Sequence, residues 1–323
     1  MSAKIIEIFT QLSEINRQLG EKFKTRAYQN AITSLKRLPT NAKFSSCEEL
    51  LKKYDVPGIN IKGSLCQKID EIINTNSLKE LNDLLQRPDI KIYHDLLLVH
   101  DIGIKLAKKL IKDYNVTSIS HLHDLVKKGK ITLTHNQTLG LIHYNDLNQR
   151  IPYSEITKTM LRIKTALNSF SNQITLVPAG SYRRNIISKG TSGDIDLLIF
   201  YKTDNPVTLE KCIDILTQKG ILFPEFFSKG VTKFQGLINN GSRPVRQIDI
   251  RYIPIKSYAP AMLYFTGSKN FNQNMRQKAM RLGYKLSEYT LTHLSTGKNI
   301  DIKNEKDVFK QLKMKYVPPH LRD

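Results

Sequence analysis

The stretch Ser192-Gly193-Asp194-Ile195-Asp196-Leu197-Leu198-Ile199-Phe200 decides how this chain is read. The apolar run Leu197 to Phe200 has the character of a buried strand. Alternate residues of a strand share a face, so Asp194 and Asp196 aim at one point. A second strand pattern, Arg246-Gln247-Ile248-Asp249-Ile250-Arg251-Tyr252-Ile253-Pro254, supplies a third carboxylate, Asp249, in the same alternation. Acidic residues at strand ends are often only solvated. Here they adjoin residues that ask to be buried, where an unpaired carboxylate is costly. Three of them together form a hard oxygen site suited to Mg²⁺, with Mn²⁺ as a substitute. Just upstream, Gly180-Ser181-Tyr182-Arg183-Arg184 reads as a small, cationic, donor-rich turn able to hold a triphosphate.

Around this stretch, short strands alternate with helices: strands over 174–180, 194–201, 233–238 and 247–253, and a helix near 207–218. Residues 1–85 are different. They read as helical, with Ile5, Ile8, Phe9 and Leu12 at helical spacing. Two segments, 56–73 and 97–114, each read as helix, tight turn, helix, the helix-hairpin-helix pattern that offers backbone N–H groups to a DNA phosphate. Their turns are Asn60-Ile61-Lys62 and Asp101-Ile102-Gly103, where glycine is usual; Asn and Asp tolerate left-handed backbone better than other non-glycines. The first turn is read either as a phosphate contact or as a merely structural bend.

The formal charge is +21 and the pI about 9.7. The excess is spread, +7 over residues 1–150 and +14 over 151–323, which favours a nucleic-acid track through folded domains over a basic tail. No apolar stretch has the length of a membrane span and no secretory signal pattern opens the sequence, so a soluble chain without membrane contact is expected. Cys47, Cys66 and Cys212 have no metal-ligand spacing; their odd number argues for reduced, buried thiols.

In order and spacing, GSYRRN at 180–185, GDIDLLI at 193–199, RQIDIR at 246–251 and YFTGSKNFNQNMR at 264–276 resemble the family X DNA polymerases, most of all their polymerase beta branch. The resemblance runs from about residue 10 to KYVPPH at 315–320. It implies an α+β multidomain fold: a helical, lyase-like N-terminal domain with the first hairpin (1–85), a helical DNA-binding subdomain with the second (86–149), a nucleotidyltransferase palm with a mixed β-sheet (150–255), and a C-terminal α/β nucleotide-selection subdomain (256–323).

The same resemblance implies roles. Asp194 and Asp196 would bind two Mg²⁺ ions, and Asp249 the catalytic one while taking the proton of the primer hydroxyl. Ser181, Arg184 and Gly193 match triphosphate positions, with Arg150 a further contact; Arg183 is structural or part of a closing switch. Tyr264, Phe265 and Gly267 match the element under the nucleotide sugar. Asn272 and Arg276 match residues on the minor-groove side of nucleotide and template; Arg251, Glu288 and Tyr289 match a set that rearranges on closure. Lys68 aligns with the Schiff-base lysine of the 5′-deoxyribose phosphate lyase, with Lys24, Tyr28 and Lys62 as candidate companions; nearby cations or desolvation lower the pKa of such a lysine, and a surface lysine is the bland alternative. Asn60, Lys62, Asp101, Gly103, Lys105 and Lys233 complete the DNA-contact set, with a monovalent cation at the hairpin turns. Lys269 stands where the polymerase beta branch has an acidic residue, Gln247 where it has an arginine, and residues are inserted between Arg184 and Gly193.

These expectations amount to a templated gap-filling polymerase of base excision repair with lyase activity. Its partners would be gapped or nicked duplex DNA, deoxynucleoside triphosphates, a DNA ligase and an abasic-site endonuclease, and it would act as a monomer. It would work inside the cell: in the nucleus of a eukaryote, or at the replication site or in the virion of a virus. A polymerase without lyase activity and a noncatalytic DNA-binding scaffold are the alternatives. A template-independent transferase fits less well, because only 239–245 separates the strand at 233–238 from the third aspartate's strand.

Overall fold

The computed structural model describes residues 2–39, 42–185, 190–202, 207–239, 241 and 244–322. Most of the insertion between Arg184 and Gly193, and part of 239–245, lie outside the described residues. The chain divides into two compact units, residues 1–97 with 102–127 and residues 98–101 with 128–323.

The first unit is helical: α1 (Ser2–Gln18), α2 (Lys22–Leu35), α3 (Cys47–Lys53), α4 (Ser64–Thr75), α5 (Lys79–Gln86), α6 (Pro88–Leu97), α7 (Ile104–Tyr114) and α8 (Ile119–Lys127). Ile5, Ile8, Phe9, Leu12 and Ile15 form one stripe of α1 and lie buried against Tyr28 and Ala31 of α2 and Ile69 and Ile72 of α4. Ser46 caps α3 by accepting from the Glu49 N–H. α4 and α7 both stop at a left-handed asparagine, Asn76 and Asn115.

Two sequence expectations fail in this unit. Cys47 of α3 and Cys66 of α4 are joined by a disulfide, with Cα atoms 5.4 Å apart; only the buried Cys212 remains a thiol, which burial pushes up to about 11. Nothing in the spacing of the cysteines announces a pairing made by two helices meeting in the core. In the first hairpin the left-handed residue is Gly58 rather than Asn60; Asn60 instead accepts the Gly63 N–H at 2.8 Å. At the second turn Asp101 does take positive φ, +61°.

The second unit continues through α9 (His135–Ile142) and α10 (Tyr144–Leu147) into β1 (Ile151–Pro152), α11 (Tyr153–Ala166), β2 (Ile174–Pro178), α12 (Gly180–Asn185), β3 (Thr191–Ser192), β4 (Ile195–Tyr201), α13 (Leu209–Gln218), β5 (Leu222–Lys229), β6 (Lys233–Ile238) and β7 (Arg246–Pro254). Strands β2-β4-β7-β6-β5 form one sheet in that order. It is mixed: β4 and β7 are parallel and their other neighbours antiparallel. Leu197 and Ile199 pack beneath α11 and α13, while Leu198 and Phe200 pack on the other face against Ala261 and Met262. A strand covered on both faces must be apolar at every position, which is why the alternation stops after Asp196. The cationic turn at 180–184 proves to be the opening of a short helix, and the sequence reading had not foreseen β5.

The unit ends with α14 (Tyr258–Thr266), α15 (Lys269–Arg281), the hairpin β8 (Tyr284–Leu286) and β9 (Leu291–His293), and α16 (Glu305–Gln311), around a core of Leu263, Met275, Leu291, Val308 and Phe309. Arg322, fully buried, donates to Glu305 at 2.7 Å and to the Val317 carbonyl at 2.9 Å. Glu305 also accepts from Arg183 at 2.7 Å, so the C-terminal tail and α16 are tied to α12. Among the described residues no helix is long and apolar enough to cross a membrane.

Candidate active site

The sheet assembles the carboxylates. In the parallel β4–β7 register Asp196 sits directly beside Asp249, and Asp194 stands at the mouth of β4, one residue before the strand begins. A carboxylate oxygen from each lies within 4.8 Å of the others. Burial first, then Asp194 and Asp249, push the Asp196 carboxyl up to about 8; burial and Asp249 likewise raise Asp194, opposed by Arg150. Three acidic groups forced together out of water are relieved by a cation, and an all-oxygen donor set fits a hard divalent one.

Asp249 is gripped by neutral donors. Gln235, its cross-strand partner on β6, donates to one carboxylate oxygen at 3.0 Å, and Gln247, two residues before it on β7, donates to the other at 3.2 Å. Where the resemblance leads one to miss an arginine, two amides orient the group without adding charge. Gln247 was noticed in the sequence only as a loss, and Gln235 was not noticed, since cross-strand register cannot be read from spacing.

A cleft of about 520 Å³ opens beside the carboxylates, lined on one side by Gly180, Ser181, Arg184, Asp194 and Asp196. Its other wall is Tyr264, Phe265, Gly267, Lys269, Asn272 and Arg276. At Gly180, with φ +57°, an added Cβ would stand 1.7 Å from an Asp196 oxygen, so only glycine lets α12 start against the carboxylates. Ser181 hydrogen-bonds the Ser192 hydroxyl, Arg184 donates to the Thr266 carbonyl at 2.6 Å, and Arg183 holds Glu305 and the Thr266 hydroxyl. Arg150 lies outside the lining, donating to Thr191 beside Gly193.

Tyr264 and Phe265 meet edge to face at 4.9 Å, and Asn272 donates to the Tyr264 carbonyl at 2.6 Å. Arg276 lies 4.7 Å from the Tyr264 ring centre and 3.7 Å from Glu288, and Arg251 lies 5.6 Å from the Phe265 ring centre. Tyr289 is exposed. Lys233 is exposed at the start of β6 and does not line the cleft.

In the helical unit Lys68 Nζ is 2.6 Å from the Tyr28 hydroxyl and 2.6 Å from Glu80 of α5. Lys24, instead, lies 4.0 Å from Glu21 with its side chain 60% exposed, and Asn60, Lys62, Gly103 and Lys105 are exposed. The expected depression of Lys68 is therefore corrected. Burial presses its ammonium down, but the hydrogen bonds it donates to Glu80 and Tyr28, with their charges, outweigh burial and leave it raised. Glu80 was missed because it lies beyond the end of α4 on another helix.

Fold and site define a class: a palm carrying three carboxylates on a mixed sheet, followed by a thumb-like unit and preceded by helical hairpins. Residues 150–255 match the model of the DNA polymerase beta palm, 261–323 that of the DNA polymerase beta thumb, 2–78 a helix-hairpin-helix domain, and 94–148 the fingers domain of DNA polymerase lambda. Among curated relatives, DNA polymerase lambda of Rattus norvegicus is 28% identical over 94% of this chain and 53% of its own length. DNA polymerase lambda of Arabidopsis thaliana is 27% identical over 100% and 62%, and the type-X family protein pol4 of Schizosaccharomyces pombe 24% over 98% and 63%. The chain belongs to the family X DNA polymerases. It spans between half and two thirds of the length of these relatives.

Proposed function

We propose that this chain is a template-directed DNA polymerase that fills short gaps during base excision repair and carries a 5′-deoxyribose phosphate lyase site at Lys68. The observation that carries the polymerase reading is the convergence of Asp194, Asp196 and Asp249 beside a nucleotide-sized cleft walled by cationic and aromatic side chains. Two Mg²⁺ ions, or Mn²⁺ in their place, would be held by these aspartates and would polarise the α-phosphate and stabilise the entering and leaving oxygens. Ser181, Arg184 and Arg150 hold the triphosphate, with Gly180 and Gly193 giving backbone access. Asp249, oriented by Gln235 and Gln247, accepts the proton of the primer 3′-hydroxyl. Tyr264 and Phe265 support the sugar, while Asn272 and Arg276 contact the minor-groove edge.

Lys24, Lys62, Lys105 and Lys233 and the hairpin turns, with a monovalent cation bound there, contribute to a track for gapped duplex DNA. Handing on the nicked product calls for a ligase, and an abasic-site endonuclease supplies the substrate; the protein acts as a monomer. A single-nucleotide gap-filling assay with and without a template base tests the reading. Incorporation should require the template and a divalent cation, and incorporation without a template base would overturn it. A second reading, a polymerase whose helical unit only grips DNA, is favoured by one observation: Lys68 is already ion-paired.

A further inference from the structure

We propose that Glu80 is the proton carrier of the Lys68 site: it takes a proton from Lys68 Nζ and delivers it to the oxygen of the aldehyde that the amine attacks. The inference rests on the lyase reading of Lys68. It supplies what that reading lacks, because an ammonium is not a nucleophile and the groups around this one stabilise it as an ammonium.

Three helices converge on the site. Lys68 comes from α4, Tyr28 from α2 and Glu80 from α5, with Nζ 2.6 Å from each partner oxygen and 5.2 Å from the Tyr28 ring centre. Among the described residues the titratable groups that act on Lys68 are these two. Tyr28 is buried and, chiefly through that burial, its hydroxyl titrates above its ordinary value, so it stays a neutral phenol. Glu80 is the nearest base. The Lys68 side chain is 21% exposed and that of Glu80 36%, so both stay reachable by a sugar aldehyde, unlike a pair sealed in a core.

The proton balance closes with these two residues and water. Lys68 –NH₃⁺ passes a proton to the Glu80 carboxylate, leaving amine and carboxylic acid. The nitrogen lone pair forms a bond to C1′ of the ring-opened sugar as the carbonyl π pair moves to oxygen. Glu80 gives its proton to that oxygen, then removes one from the newly bonded nitrogen, leaving a neutral carbinolamine. When Glu80 returns this proton to the hydroxyl, the C1′–O bond breaks, water leaves and the nitrogen lone pair completes the iminium. Glu80 ends as a carboxylate beside a new cation, in the ion-pair arrangement from which it began.

The two roles open to Glu80 predict opposite signs. If it only restrains Lys68, Glu80→Gln frees the amine and borohydride trapping on an incised abasic site speeds up. If it carries the proton, Glu80→Gln slows trapping near neutral pH by roughly 10²-fold, the scale of a lost general acid–base group. The residual rate should then climb with alkaline pH, where the amine is free without help. Formate should restore trapping to Glu80→Ala and not to Lys68→Ala, a rescue that a misfolded variant would not show. Trapping by Glu80→Gln as fast as wild type or faster, or failure of formate to rescue Glu80→Ala, overturns the proposal. No trapping by the wild type overturns the lyase reading and this inference with it, whereas wild-type trapping that Glu80→Gln matches in rate at neutral pH overturns the inference alone.

Discussion

The two candidate sites of this chain are built on opposite electrostatic plans. In the palm, three carboxylates share one small volume, two of them titrating above the ordinary carboxylate range, and the side chains holding Asp249 are neutral amides. That site is short of positive charge. In the helical unit a single lysine has both a carboxylate and a phenol at hydrogen-bond distance, and its charge is balanced inside the protein. The first arrangement waits for a cation from solution; the second has to be unlocked before it can react. Two chemistries on one chain thus need different triggers, a metal for one and a proton transfer for the other.

The largest effect expected from breaking this contrast is at the palm. Asp249→Ala removes the carboxylate that would join metal to primer hydroxyl, and primer extension should fall by roughly 10³-fold or more, several kcal/mol of barrier. Affinity for gapped DNA, which the spread basic charge supplies, should stay within a few-fold. Single-turnover extension and a binding titration measure the two; an unimpaired extension rate would remove Asp249 from the mechanism.

Next comes the separation of the sites. Lys68→Ala should lose most borohydride trapping and keep gap filling, while Asp194→Ala should lose gap filling and keep trapping, because imine formation needs no metal. Trapping that persists in Lys68→Ala, with the adduct mapped to Lys24 or Lys62, would place the nucleophile elsewhere in the helical unit.

How far each site could be read from sequence follows the same divide. The palm aspartates were legible because strand alternation is local: Asp194 and Asp196 reveal a shared face by spacing alone, and the apolar run after them marks a strand buried on both sides. The helical stripe Ile5, Ile8, Phe9 and Leu12 was legible for the same reason. What escaped is what tertiary packing pairs. Glu80 reaches Lys68 from another helix, Gln235 reaches Asp249 across a strand boundary, Glu305 meets Arg183 from the far end of the chain, and Cys47 finds Cys66 only where α3 crosses α4. No local period encodes such contacts.

The disulfide sharpens the comparison on the side of stability. It closes a loop with a sequence separation of 19 residues around the first hairpin and anchors the helix that carries Lys68. A cross-link of that length stabilises by about 3 kcal/mol. Reductant, or Cys47→Ala with Cys66→Ala, should lower the unfolding midpoint of the helical unit and leave the metal-dependent gap-filling rate at the palm unchanged. Identical unfolding with and without reductant would mean that the cross-link contributes nothing.

The smallest expected effect reads the charge deficit of the palm directly. Because burial and its two acidic neighbours hold the Asp196 carboxyl at about 8, the metal-free protein keeps a proton there at neutral pH, and an incoming cation has to displace it. Between the ordinary carboxylate range and about 8, the metal-free state carries a proton that the metal-bound state lacks. Metal affinity should therefore rise with pH, roughly tenfold per unit, and level off above about 8. Mn²⁺ binding titrated calorimetrically in buffers of different ionisation enthalpy should report close to one proton released per site at neutral pH, fading to none in alkali. Asp196→Asn should abolish that release and weaken binding together. Trapping at Lys68 should ignore the metal throughout, since that site carries its own counter-charge; an affinity for Mn²⁺ that is flat across neutral pH would mean that the three carboxylates are ionised without help, and the contrast between the two sites would lose its electrostatic basis.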